Sequence, residues 1–296
     1  MNRQKFTGSI LLLIGAIIWG VAFVAQAKAS NIGAFTFNCV RNIIGGVVLL
    51  PLVFVLRKKG NDATRPKKCP NIFICGAICG FFLAIASAFQ QSAINMGTST
   101  GKAGFITACY IIFVPLISTL FGKRVSPLLW IAVALSTAGL YLLCMTESLV
   151  LEISDLLLLA CAVSFAFQIL AIDRFSPYFS GIKLACVQFF ACGLFSGIMM
   201  LIFEKPNLSE IYAAGIPILY TGVFSSGVAY TLQIVGQKKL NPTVATLIMS
   251  LESAIAAISG WLILNQSMRP EEIIGCVIMF VAIVIAQLPT EMFKRK

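Results

Sequence analysis

Two charged residues, Arg41 and Glu252, lie inside long apolar segments of this 296-residue chain. A charged side chain in the hydrocarbon of a membrane costs several kcal/mol, so it normally faces the protein interior. Arg41 could bind a carboxylate or another anion, or it could extend to the membrane surface or pair with backbone carbonyls. Glu252 is the deepest carboxylate in the chain. It could bind a proton or a substrate amine, or form a structural ion pair with Arg41.

Proton chemistry in this chain depends on carboxyl groups, because the sequence contains no histidine. Histidine is the usual side chain that titrates near neutral pH. Removal from water favours the protonated form of a carboxyl group. Glu252 is therefore the predicted proton carrier if transport is coupled to protons, and Asp173, at a helix end, is the second candidate.

Polar side chains recur at helical spacing inside the apolar segments. Ser226, Tyr230 and Gln233 follow at i, i+4 and i+7, and Trp19 and Gln26 at i and i+7. A glutamine amide brings two donors and an acceptor that need partners. Hydrogen bonds between packed helices explain any one glutamine, whereas a polar cavity explains the set. The predicted substrate-binding residues are Trp19, Asn38, Arg41, Gln90, Tyr110, Gln168, Gln188, Tyr230, Gln233 and Glu252.

The amino-acid composition indicates what kind of secondary structure positions these residues. Hydrophobic residues make up 59% of the chain and charged residues 11%, and the mean hydropathy is +0.95. A soluble domain has about a quarter charged residues, and a membrane-spanning helix needs about 20 apolar residues. The sequence therefore predicts an all-α integral membrane protein with ten transmembrane helices and no soluble domain. The apolar runs are 7–27, 34–56, 71–93, 102–121, 127–145, 155–172, 182–203, 211–235, 243–264 and 271–289.

The basic residues predict the orientation of the helices. Seventeen of the 22 Lys and Arg residues fall in the termini and in the loops on the same side as them, and four fall on the other side. Positive residues favour the cytoplasmic side, so both termini are predicted to be cytoplasmic. The four on the opposite side are Lys28, Lys102, Lys205 and Arg269. This distribution also argues against nucleic acid as the partner of a chain with net charge +11.

The two halves of the chain resemble each other. A shift of 143 residues places Gln90 on Gln233. A shift of 147 residues places Gly46 on Gly193. Two five-helix units are therefore predicted, at residues 1–146 and 147–296. Because five is odd, the second unit must enter the membrane inverted, which is the arrangement of secondary transporters with a central binding site and alternating access.

Several local motifs resemble the EamA family of the drug/metabolite transporter superfamily. Lys123 stands where that family usually has glutamate, and Asn265-Gln266 where it has glycine-glutamate. The matching motifs are Trp19-Gly20 with Ala22-Phe23-Val24, Pro115 followed by Gly122-Lys123-Arg124, Tyr230 through Pro242, Leu251-Glu252 and Gly275. The resemblance covers essentially the whole chain. It implies ten helices around a central cavity and proton-linked or facilitated movement of small metabolites, often outward, across a bacterial plasma membrane.

These observations predict a secondary-active transporter rather than an enzyme. The predicted cargo is a small polar or zwitterionic metabolite, amino-acid-like because Arg41 and Glu252 carry opposite charges. A facilitative uniporter or channel-like permease is the alternative. An integral membrane transferase is a more distant one, because the adjacent pair Glu271-Glu272 lies at a helix end and no other acidic pair is close within a span. The expected partners are a small-molecule substrate, a proton and membrane lipid, with no cofactor or metal, for a monomer or homodimer.

Overall fold

The computed structural model describes residues 3–58, 70–144, 152–266 and 270–286, and every regular element in these ranges is helical. The predicted all-α fold is confirmed. The boundary predicted between residues 146 and 147, and the ends of the predicted runs at 145 and 287–289, lie outside the described residues. The helices of the first half are α1 (Arg3–Lys28), α2 (Ala34–Lys58), α3 (Ile72–Asn95), α4 (Thr100–Ala108), α5 (Tyr110–Leu120) and α6 (Pro127–Cys144).

The second half repeats this order with three additional elements, a short helix at Leu208–Ala213, a π-helix and a 3₁₀ turn. A nine-residue π-helix, Thr221–Ala229, lies within the segment that corresponds to α3. A short 3₁₀ turn, Ser176–Tyr178, follows the first helix of this half. The helices are α7 (Ile153–Phe175), α8 (Gly181–Phe203), α9 (Leu208–Ala213), α10 (Gly215–Tyr220), α11 (Tyr230–Gln237), α12 (Pro242–Met249), α13 (Leu251–Leu264) and α14 (Pro270–Ala286).

Eight helical segments are long and apolar enough to cross a membrane, by length and composition. Four of them combine neighbouring helical elements, namely Thr100–Leu120, Ile153–Tyr178, Gly215–Gln237 and Pro242–Leu264. Two further apolar helices are shorter, at Pro127–Leu142 and Ile273–Ala286. The chain is therefore a multi-pass membrane protein, and the count of ten crossings stays a prediction.

Equivalent helices of the two halves pack against each other in opposite directions. In α2 and α8, a Cβ atom at Gly46 would lie 3.0 Å from the Phe190 ring, and one at Gly193 would lie 2.9 Å from Ile43. The 147-residue shift converts one contact into the other. Near the other end of the pair, Gly197 faces Cys39, so α2 and α8 run antiparallel about a local two-fold axis.

Small residues let α3 approach α8 closely. At Gly80 in α3, an added Cβ would lie 2.6 Å from the Gln188 carbonyl oxygen and 2.7 Å from the Ala191 Cβ. Gly76, one turn earlier, faces Val187 at 2.4 Å. These glycines therefore serve helix packing within the chain, as small-residue spacing in membrane helices commonly does.

Replacing Gly80 with alanine is expected to lower the melting temperature of the detergent-solubilised protein. The new methyl group would clash with the backbone of α8, and overpacking of this kind costs about 1–3 kcal/mol. Gly15→Ala is the matched control, because its nearest neighbour would be the Ala229 carbonyl oxygen at 3.5 Å. Equal melting temperatures for the two variants would contradict this account of the α3–α8 contact.

The helices group into two bundles, each containing elements of both halves. The first bundle is α3, α4, α5 and α7, and the second is α1, α11, α12 and α13, as their mutual contacts show. Exchanging the halves converts one bundle into the other. Helix α2 packs on α8 and on the π-helix, and α6 packs on α14, outside this pair of bundles. A structure of this kind has its binding region where the two bundles meet.

The ends of the helices define two faces of the molecule. One, named here the Ile32 face, holds the α1–α2 turn at Ile32, and the other, the Phe179 face, holds the α7–α8 turn at Phe179. On the Ile32 face, the Glu204 carboxylate accepts hydrogen bonds from the Phe35 and Thr36 amides at 2.9 and 2.8 Å. Glu204 thus caps the amino end of α2 from the other half of the chain.

Ion pairs join α7 to the α4–α5 segment at both faces. Lys102 Nζ lies 3.0 Å from Asp155 Oδ1 on the Ile32 face. Lys123 Nζ lies 2.5 Å from Asp173 Oδ2 on the Phe179 face. Asp173, the second candidate for a proton carrier, is therefore an ion-pair partner at the end of α7. These contacts fix the two segments as parallel neighbours.

Candidate functional site

A cavity lies between the two bundles and is the candidate functional site. Its volume is about 30 Å³, which is room for about two water molecules. Seven of the ten predicted binding residues line it. The lining residues are Trp19, Ala22, Phe23, Gln26, Arg41, Gln90, Tyr110, Phe165, Ile169, Ser225, Tyr230, Gln233, Met249 and Glu252.

Glu252 meets Tyr110 across the bundle interface. The Tyr110 hydroxyl donates to Glu252 Oε1 at 3.0 Å, and both residues are buried. Tyr110 opens α5 and Glu252 is the second residue of α13. Each helix follows an interruption of one residue, at Cys109 or Ser250. The corresponding helices of the two halves therefore place their interruptions together at the cavity, where irregular backbone is tolerated in membrane proteins.

The interruption before Glu252 is stabilised by hydroxyl groups. Ser250 Oγ donates to the Leu247 carbonyl at 2.9 Å, and Ser253 Oγ donates to the Ser250 carbonyl at 2.7 Å. Such bonds from serine to preceding carbonyls compete with regular helical hydrogen bonding. The serines therefore hold α13 in the position that directs Glu252 toward Tyr110.

Arg41 is buried at 4% exposure and makes no ion pair with any described residue. Its guanidinium carbon lies 5.4 Å from the centre of the Phe37 ring, and its Nε has no hydrogen-bond partner in the described ranges. The interpretation that Arg41 extends to the membrane surface is therefore wrong. The structural ion pair with Glu252 is also absent, although both side chains line the cavity.

Tyr230 lines the cavity together with these two charged residues. It is close enough to Arg41 and to Glu252 to interact electrostatically with each. Its ring meets the edge of Trp19 at a centroid distance of 4.8 Å, and Phe189 supports it at 5.7 Å. Edge-to-face aromatic contacts of this kind fix ring orientation. Trp19 and Phe189 therefore fix the Tyr230 ring beside both charged residues.

Three glutamines form a hydrogen-bonded chain that leads away from the cavity. Gln233 Nε2 donates to Gln168 Oε1, and Gln168 Nε2 donates to Gln188 Oε1, each at 3.4 Å. Only Gln233 lines the cavity. Gln168 and Gln188 do not line this cavity; both are fully buried and are joined to Gln233 through this chain. They hold the Gln233 side chain in place.

Asn38 is the third predicted residue that does not line the cavity. It is fully buried on α2 at 0% exposure, and neither side-chain polar atom has a partner within the described ranges. Its backbone carbonyl accepts a hydrogen bond from Asn42 Nδ2 at 2.7 Å. The helical spacing from Asn38 to Arg41 led to the prediction, but only Arg41 reaches the cavity.

On the Ile32 side of the cavity, two glutamines have different surroundings. Gln90 Nε2 donates to Thr107 Oγ1 at 3.2 Å, which links α3 to α4. Gln26 Oε1 has no partner within the described part of the chain, whereas the Gln26 backbone carbonyl accepts from Gln91 Nε2 at 3.2 Å. Gln26 therefore presents a free amide oxygen to the cavity.

The π-helix changes the predicted stripe on the eighth apolar run. A π-helix carries an extra residue per turn, so the face reached by i, i+4 and i+7 shifts. Ser225, rather than Ser226, lines the cavity. Ser226 Oγ instead lies 3.5 Å from Asn42 Oδ1, and its Cβ packs on Gly45.

The unpaired polar atoms around the cavity define what it can bind. Two donors have no hydrogen-bond partner among the described residues, Trp19 Nε1 and Arg41 Nε. Two acceptors also have no partner among these residues, Gln26 Oε1 and Gln233 Oε1. The Glu252 carboxylate adds further acceptor capacity. The arrangement can hold a small ligand with one anionic group and one hydrogen-bond-donating group, between aromatic walls.

A helical membrane fold of two matching halves around a polar cavity is typical of membrane transporters. Comparison with known protein families identifies the family of this chain. A model described as the EamA-like transporter family matches residues 6–145 and again residues 152–287. The chain belongs to this family, and the predicted two-repeat architecture is confirmed.

Relatives that match nearly the full chain are named as transporters. The chain is 28% identical over 291 residues to an uncharacterized transporter of Archaeoglobus fulgidus, covering 96% of this chain and 87% of the relative. It is 23% identical over 300 residues to the uncharacterized inner membrane transporter YedA of Escherichia coli K12, covering 97% and 94%. The protein is thus a multi-pass membrane transporter.

A solved structure shows the same fold. A crystal structure of a protein with 16% sequence identity superimposes with a TM-score of 0.75 and covers 97% of this chain and 99% of that chain. At this identity the likeness concerns the fold alone.

Proposed function

We propose that this protein is a secondary-active transporter that exports a small zwitterionic metabolite, amino-acid-like in its charges, by alternating access. The observation that carries the proposal is the buried Arg41, which pairs with no carboxylate among the described residues and lines the same cavity as Glu252. An uncompensated buried charge is strongly destabilising, so a substrate carboxylate is the natural partner of Arg41. Glu252 and the Gln233 amide oxygen then accept hydrogen bonds from the substrate amine.

The coupling ion in this proposal is a proton bound at Glu252. Among the residues that the structure describes, Glu252 is the only carboxylate that lines the cavity, and its partner is the neutral Tyr110 hydroxyl. A carboxylate without a basic partner can take up a proton without breaking an ion pair. Protonation of Glu252 would weaken its attraction for a substrate ammonium group, so proton and substrate occupancy would be linked.

Alternating access is supported by the size of the cavity and by the symmetry of the bundles. A cavity of about 30 Å³ is too small for an amino acid, so the bundles must separate for substrate to enter. The two-fold relation between the bundles supplies two similar arrangements, one open to each face. The same narrowness favours a carrier over a channel-like permease.

The orientation in the proposal places the Ile32 face outside and the Phe179 face in the cytoplasm. The basic residues of the sequence support this choice through the positive-inside rule. Contacts between distant segments agree with ten crossings, because Lys102–Asp155 and Lys123–Asp173 each join ends that ten crossings place on one side. The protein would then be a plasma-membrane carrier with both termini in the cytoplasm.

Proteoliposomes test the proposal. Purified protein is expected to take up label from a pool of radiolabelled amino acids, with saturation, more strongly when a pH gradient is imposed. Preloading with unlabelled pool should accelerate entry of label by counterflow, which a pore does not show. Protein-free liposomes are the control. Absence of saturable uptake in either gradient direction would reject amino acids as the substrate, and saturable uptake without gradient dependence would reject proton coupling.

A further inference from the structure

Two hydrogen bonds join the two bundles, one at the Ile32 face and one at the Phe179 face. Asn95 Nδ2 donates to the Ile32 carbonyl at 2.7 Å, and Lys238 Nζ donates to the Phe179 carbonyl at 2.8 Å. We propose that Asn95 and Lys238 are equivalent latches, each of which holds one face of the transporter closed and breaks when that face opens. The inference rests on the proposed alternating access.

The two bonds are equivalent in the repeat. The 143-residue shift that aligns Gln90 with Gln233 also carries Asn95 onto Lys238. The 147-residue shift carries Ile32 onto Phe179. Donor and acceptor of one bond therefore match donor and acceptor of the other, even though asparagine and lysine are chemically different. In each case the acceptor is a backbone carbonyl in the turn before the second helix of its half.

Each bond connects the two bundles. Asn95 ends α3 in the first bundle, and Ile32 lies in the turn after α1, which belongs to the second bundle. Lys238 follows α11 in the second bundle, and Phe179 lies in the turn after α7 in the first. Separation of the bundles at either face must therefore break the bond at that face. A bond within one bundle would survive the motion.

Polar groups link the latch on the Ile32 face to the cavity. Gln91 Nε2 donates both to the Asn95 Oδ1 at 2.8 Å and to the Gln26 backbone carbonyl at 3.2 Å. Gln26 itself lines the cavity. A change at the cavity wall can therefore reach Asn95 through two hydrogen bonds. The latch on the Phe179 face begins five residues after Gln233, another lining residue.

The two faces differ in how firmly they are closed. On the Ile32 face, Thr100 Oγ1 also donates to Gln266 Oε1 at 2.7 Å and lies 3.4 Å from the Ala256 carbonyl, which joins the bundles again. Among the described residues of the Phe179 face, Lys238 provides the direct hydrogen bond between the bundle ends. Loss of Lys238 should therefore open its face more than loss of Asn95 opens the other.

Quenching of Trp19 fluorescence measures the opening of each face. Trp19 lines the cavity, and Trp130→Phe with Trp261→Phe would leave it as the sole tryptophan. The protein is reconstituted in one orientation, and iodide, which crosses bilayers poorly, is added on one side at a time.

Lys238→Met is expected to raise quenching from the Phe179 side only. Asn95→Leu is expected to raise it from the Ile32 side only. The open population should rise about fivefold for the loss of one hydrogen bond.

Neighbouring residues supply matched controls. Lys239→Met removes an adjacent lysine that does not bond to Phe179, and Met96→Leu changes the exposed residue beside Asn95. Both should quench as the parent does. Lys238→Arg retains a cationic donor and should keep quenching from the Phe179 side low in a protein of unchanged fold.

The sidedness of quenching decides the proposal. It is overturned if folded Lys238→Met and Asn95→Leu proteins quench as the parent does, or if both open the same side. The measurement needs no substrate. If the two variants increase quenching from opposite sides but the protein takes up no amino acids, the latches are supported and the proposed cargo is rejected. If the variants quench as the parent does but uptake is saturable, the cargo is supported and the latches are rejected.

Discussion

Glu252→Gln is expected to abolish proton-driven accumulation of substrate while leaving exchange of substrate across the membrane. Glutamine keeps the size of the side chain and can still accept the hydrogen bond from Tyr110, but it cannot bind a proton. One pH unit corresponds to about 1.4 kcal/mol for each coupled proton, so a gradient of about two units can sustain about 100-fold accumulation. The accumulation ratio of the variant should fall from that range to about one.

Two further variants separate the proton role from packing. Asp173→Asn removes a carboxylate that pairs with Lys123 outside the cavity, so accumulation should remain. Tyr110→Phe retains the Glu252 carboxyl group and removes its hydrogen-bond donor, so coupling should persist with altered pH dependence. Counterflow of labelled substrate shows whether each protein still transports. Normal accumulation by Glu252→Gln would require another proton carrier.

The sequence predicted the fold and the charged part of the site for one physical reason. Hydrocarbon makes isolated charges costly, so Arg41 and Glu252 were conspicuous within apolar runs. The repeat was visible because matching positions have matching packing environments. Gly46 and Gly193 both face bulky side chains at the α2–α8 contact, where an added Cβ would press on the facing helix.

The other residues that line the cavity could not be predicted from helical spacing in the sequence. The π-helix moved Ser225 into the cavity in place of Ser226. Gln168 and Gln188 could not be distinguished from lining residues, because a glutamine within an apolar segment looks the same in the sequence whether it lines a cavity or bonds to another glutamine. Phe165 and Met249 line the cavity, but apolar residues of these types also face lipid, so the sequence did not mark them.

Arg41 provides the second large predicted effect, on both substrate binding and stability. Arg41→Met preserves much of the side-chain length and removes the charge. If a substrate carboxylate binds the guanidinium, loss of this buried pair should cost about 2–4 kcal/mol, or about 30-fold to 1,000-fold in apparent affinity. The half-saturation concentration of uptake, or direct binding to detergent-solubilised protein, measures this change.

The same substitution is expected to stabilise the protein without substrate. Arg41 is buried, and its Nε has no partner among the described residues. Burial of a charge carries a desolvation penalty of several kcal/mol, and Arg41→Met removes it. The melting temperature of Arg41→Met should therefore rise while affinity falls. A fall in both would indicate instead that Arg41 supports the fold.

A graded series identifies the chemistry that Arg41 supplies. Arg41→Lys keeps the positive charge but loses the planar fork that matches a carboxylate, so its affinity should lie between those of the parent and Arg41→Met. Lys123→Met is the matched control, because it removes a basic residue from an exposed ion pair outside the cavity. Substrate added to the parent should raise its melting temperature, and this increase should be lost in Arg41→Met. Such a pattern requires the residue to destabilise the empty cavity and to stabilise the occupied one, which a purely structural arginine cannot do.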